Sequence, residues 1–85
     1  MKLPLIKHIV HFIEENDEDY IEETLEVLEH LCDFSGIKDE EIDLLGEIIS
    51  NLYGALEVHK EIKEGNSNKD ALNNFMKRVQ GSIDQ

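Results

Sequence analysis

The chain has no tryptophan, a single proline and a single cysteine, and only 6% of its residues are aromatic. It also has no apolar run near the roughly 18 residues needed to span a bilayer. Each shortage excludes something. With Cys32 alone, an intrachain disulfide is impossible, and a solitary thiol treated as a small hydrophobe fits a reducing compartment. The segment from Leu3 to His8 lacks the unbroken apolar core and small-residue cleavage site of a signal peptide, so a soluble, cytoplasmic protein is expected. Basic residues are scarce where acids are dense: from Glu14 to Glu47 there are fifteen acidic side chains and one basic one, Lys38. That field repels phosphate, which argues against nucleic acid as a partner, and it would attract a basic protein. It also suits plain solvated helix faces.

What is present is enough for one folded domain over residues 1–85. A hydrophobic fraction of 40% with helical periodicity is too high for disorder, despite a net charge of −12. A chain of this size buries only about 60% of its unfolded surface, so packing must be good or a partner must help.

The spacing predicts an all-α fold, a four-helix antiparallel bundle-like domain. The first helix spans residues 4–15, opened by Pro4 and presenting Leu5, Ile6, Ile9, Val10 and Ile13. Asn16 and Asp17 end it and cap a second helix, residues 18–33, with Ile21, Leu25 and Leu28 inward and Glu22, Glu23, Glu26 and Glu29 outward. Phe34, Ser35 and Gly36 form a turn in which Gly36 can take the left-handed conformation. Asp39 caps the third helix, residues 39–64, about 39 Å long at 1.5 Å per residue. Its seam is Ile42, Leu45, Ile49, Leu52, Leu56 and His59, and Gly65 stops it. Ser67 caps a fourth helix with Leu72, Phe75, Met76 and Val79 inward, closed by Gly81. Short connections make consecutive helices antiparallel, with the third as the spine.

Gly46, Ser50 and Gly54 recur every fourth position on that spine. Glycine inside a helix costs about 1 kcal/mol against alanine, so a packing or backbone reason is expected. A helix of the same chain nesting there, a symmetric dimer contact and a kink all fit. Gly46, Ser50, Tyr53 and Gly54, with the acidic Glu22, Glu26 and Glu29, are the interface candidates.

Chemical sites are sparse. His8, His11 and Glu15 share one helical face and suit a metal by type, but lack converging ligands from another helix. Glu26 and His30 are four apart, whereas di-iron bundles use a spacing of three. His59 on the seam and Tyr20 and Tyr53 read as packing residues with polar ends. Cys32 has no neighbouring base to activate it. No calcium-loop spacing or phosphate-cradling glycine loop occurs, and no catalytic residue, cofactor or enzymatic activity is expected.

Size and acidity resemble those of acyl carrier proteins, but no serine lies in the required Asp-Ser-Leu context at a helix start. The chain more closely resembles a family of small, acidic, uncharacterised bacterial proteins, domain of unknown function 6952. The resemblance is carried by Met1-Lys2-Leu3-Pro4, Ile6-Lys7-His8, His11-Phe12-Ile13-Glu14 and Asn16-Asp17-Glu18-Asp19-Tyr20. It continues in Gly46-Glu47-Ile48-Ile49-Ser50-Asn51, Tyr53-Gly54-Ala55, Glu57-Val58-His59-Lys60 and Asn74-Phe75-Met76-Lys77-Arg78-Val79. It implies no activity. The expectation is a non-enzymatic protein–protein interaction module or homodimer. The alternative, from a different class, is a metal-binding or thiol-redox accessory protein using His8, His11, Glu15 or Cys32.

Overall fold

The computed structural model describes residues 2–83. Four helices follow one another: α1 (Leu3–Glu15), α2 (Asp19–Leu31), α3 (Asp39–Lys63) and α4 (Asn68–Ile83), with no strand among the described residues.

The helix ends follow local hydrogen-bonding chemistry, with some departures from the sequence reading. Pro4 lies in the first turn of α1, where no N–H is needed. At its far end the Asn16 N–H donates to the carbonyl of Phe12 at 3.0 Å, and the Asn16 side-chain amide donates to the same oxygen at 3.1 Å. Asp17 then accepts from the Asp19 N–H at 3.2 Å, so this pair stops one helix and starts the next, as expected. Helix α2 ends at Leu31, short of residue 33, because Phe34 and Gly36 need a turn. Gly36 is not left-handed. An added Cβ would lie 2.8 Å from the far edge of the Phe34 ring, an exposed side chain with room to swing aside. Nor does Asp39 cap α3; it is the first helical residue, and Lys38 flanks it, its N–H donating to the Glu41 carboxylate at 2.9 Å. Gly65 does stop α3, with φ of 107°, a region L side chains rarely enter. Ser67 Oγ accepts from the Asp70 N–H at 3.1 Å, as its capping role requires. Gly81 does not close α4, which continues to Ile83.

Helices α1, α2 and α4 each pack chiefly on α3. The result is a slab of 43 × 35 × 17 Å, two helix layers deep, with the length of α3 accounting for most of its long axis. Its core comprises Ile6, Val10 and Ile13 of α1, Ile21 and Leu25 of α2, Leu52, Ala55 and Val58 of α3, and Ala71 and Phe75 of α4. On α3 the buried face is therefore rotated from the expected seam. Leu52 is buried, but Leu45, Ile49, Leu56 and His59 are half-buried and Ile42 is exposed, while Asn51, Gly54, Ala55 and Val58 lie inside. The rotation follows from three helices sharing one short stretch, where small Gly54 and Ala55 let backbones approach and a wide face is needed.

Asn51 is a buried polar residue at this centre, 1% exposed. Its Oδ1 accepts from the Lys2 N–H at 3.1 Å, and its amide donates to the Glu47 carbonyl at 2.8 Å. A polar group taken from water without such partners is costly, so the pair ties the start of α1 to the middle of α3. Replacing Asn51 with alanine should cost about 1–3 kcal/mol in urea unfolding. An unchanged midpoint would show that the bond contributes nothing.

Candidate interaction surface

Helix α3 divides into two unlike halves. Lys2, just ahead of α1, meets Asn51. Glu18, just ahead of α2, reaches His59 at 3.8 Å and Lys63 at 3.4 Å, and Glu29 near the end of α2 reaches Tyr53. Arg78 of α4 lies 3.1 Å from Glu61 and 3.8 Å from Glu57. The Glu61 contact is a close ion pair without hydrogen-bond alignment. All these anchors fall at or beyond residue 51. Residues 39–50, about 18 Å of helix, include no buried residue.

That uncovered half carries exposed apolar side chains, with Leu44 and Ile48 on one face and Ile42 on another. Leu44 is 58% exposed, and Ile42 and Ile48 are also exposed. The turn after α2 lies beside it, bringing Phe34, 65% exposed, and Leu31 to the same region. Leu31, Phe34, Ile37, Glu41, Leu44 and Leu45 line an open groove of about 370 Å³. A second depression joins His8, Ile9 and Phe12 of α1 to Tyr20, Ile21 and Thr24 of α2, where the Phe12 and Tyr20 rings meet edge to face at 5.8 Å.

The residues singled out from sequence do not form one site. Gly46 has nothing within 4 Å of where a Cβ would stand, Ser50 is exposed and Gly54 is buried, so the stripe crosses from solvent to core. Tyr53 is half exposed, and its hydroxyl donates to the Glu29 carboxylate at 3.2 Å. Glu22 and Glu26 are exposed. His11 pairs with Glu15, and His8 and His11 border a shallow depression with Lys7 and Glu14. Glu26 and His30 are exposed and Cys32 is half-buried. Among the described residues, no three His, Cys, Asp or Glu side chains converge as a metal site would require. Sequence reasoning missed Leu31 as a surface residue and gave no role to Leu44 and Ile48. The signal was there: Leu44 and Ile48 are one helical turn apart on the stripe that Asn51, Ala55 and Val58 carry into the core, yet the helices that cover that stripe stop short of them.

An all-α domain with an uncovered apolar helix face is the class these features define. Over residues 1–84 the chain matches the model of a family of unknown function, DUF6952, and it belongs to that family. No curated protein and no solved structure matches it. No helix among the described residues is long and apolar enough to cross a membrane.

Two measurements follow. The Tyr53 phenol is held above its ordinary value of 10.0, first by desolvation, then by the charge of Glu29 and the hydrogen bond to it. Its neutral form therefore supports the α2–α3 contact below pH 10, and that support is lost as pH rises through the raised value. Ultraviolet titration should show Tyr53 ionising late, and Glu29→Gln should move it back towards 10.0; an unmoved titration would reject the coupling. Separately, Gly46→Ala should raise the stability of the isolated chain by about 1 kcal/mol, since the site is open and helical. A loss of stability would show that Gly46 is already covered.

Proposed function

We propose that this protein acts without chemistry of its own, as a protein–protein interaction module whose working surface is the first half of α3 with the turn before it. The observation that carries this reading is the contrast along one helix: residues 51–58 are packed on by three helices, while Leu44 is exposed beside Phe34 and Leu31, with Ile48 exposed one turn further along the same face. Clustered exposed apolar side chains mark interaction sites more often than scattered ones do. The reading moves the working surface away from the acidic face of α2, where Glu22, Glu26 and Glu29 serve as solvated charge and, for Glu29, as a partner of Tyr53.

A homodimer is the second reading, favoured by the open space over Gly46, which would let another helix come close. Leu44→Ser with Ile48→Ser tests the main reading. Both side chains are exposed, so the thermal midpoint should stay nearly unchanged. Affinity purification from the native cell should recover a partner with the original chain and lose it with the double variant. Equal recovery by both chains would reject the surface.

A further inference from the structure

We infer that the groove between the 32–38 turn and α3 receives a basic amphipathic segment of another protein, laying aliphatic side chains between Phe34 and Leu44 and basic ones over the rim. The inference rests on the interaction reading above and adds the chemistry of the partner. The groove floor is Leu31, Phe34, Ile37, Leu44 and Leu45, around a volume of about 370 Å³. Leu31 and Phe34 also border a neighbouring depression whose other lining residues are His30 and Asp33, so the apolar strip ends there against an acidic side chain. A strip of this kind suits anchors spaced along one face of a helix, in place of a single compact ligand.

Charge selects the occupant. Glu41 lines the groove itself and Asp33 the depression that adjoins it, where His30 is the titratable base and Lys38 lies nearby in sequence. A second copy of this chain is a poor occupant. It carries the same net charge of −12, and a symmetric contact would set Glu41 and its acidic neighbours against themselves. A segment with lysine or arginine flanking its apolar anchors meets both the floor and the rim.

The test uses the full chain and two synthetic peptides of about 18 residues with leucines at helical spacing, one carrying lysines and the other glutamates at the remaining positions. Calorimetric titration should show one-to-one binding of the leucine–lysine peptide and none of the leucine–glutamate peptide. Binding should weaken with salt. Phe34→Ser and Leu44→Ser should each weaken it roughly tenfold or more, and Glu41→Lys should weaken it while leaving the fold intact by circular dichroism. Amide shifts should concentrate in residues 31–48. Binding that survives Phe34→Ser and Leu44→Ser, or shifts confined to the acidic face of α2, would mean non-specific charge attraction and overturn the proposal. So would a failure of the lysine peptide to bind. A chain that sediments as a dimer dissociated by Leu44→Ser would also overturn it, yet leave the interaction reading standing. That reading falls separately, if the Leu44→Ser, Ile48→Ser chain recovers the same cellular partners as the original.

Discussion

Everything in this molecule depends on one stretch of α3 serving as packing surface for three helices at once. Ala55 and Val58 are fully buried, Asn51 nearly so, and Ile6, Leu25 and Phe75 bring α1, α2 and α4 into the same core. Because α1, α2 and α4 each pack chiefly on α3, little stability is available from contacts that bypass it. The buried Asn51 holds Lys2, and charged groups around the rim meet as Glu18 with His59 and Lys63 and as Arg78 with Glu61. Exposed ion pairs contribute little individually, so burial carries the energy and these pairs set register.

Concentrating the packing in residues 51–63 leaves the beginning of α3 outside the core. The same helix is thus structural at one end and presented at the other. The acids of residues 39–47 suit the start of a helix, where the backbone dipole favours negative charge, and they keep an apolar projection in solution. On the proposed reading, stability and recognition are separated along a single rigid element, which holds the groove-lining side chains of α3 more firmly than a loop would.

Much of the fold was legible because local signals agreed. Pro4, Asn16, Asp17, Gly65 and Ser67 mark boundaries by what their backbones or side chains can do, and the structure uses each of them. Where the reading slipped, a tertiary cause won. The expected seam through Ile42 and Leu56 follows from hydrophobicity alone, but three helices meeting on one stretch select for small residues and admit a polar one whose hydrogen bonds are met. Asn51 could not be placed inside from sequence, because its partner Lys2 lies 49 residues away. Gly36 looked like a left-handed turn residue, yet its backbone is not left-handed and it lies under the exposed ring of Phe34. The interaction surface was legible only in outline: the overlong spine was visible, but which end projects depends on where α1, α2 and α4 dock. The small-residue stripe is split by the same division, with Gly46 open to solvent and Gly54 inside the core.

The slab is only 17 Å through its thin direction. Two helices and their side chains fill such a depth, and nothing remains in the middle to enclose a guest. A molecule of this shape has little interior beyond its packed core, so the proposed recognition would be written on its skin: on which apolar side chains are left bare, and which charges fence them.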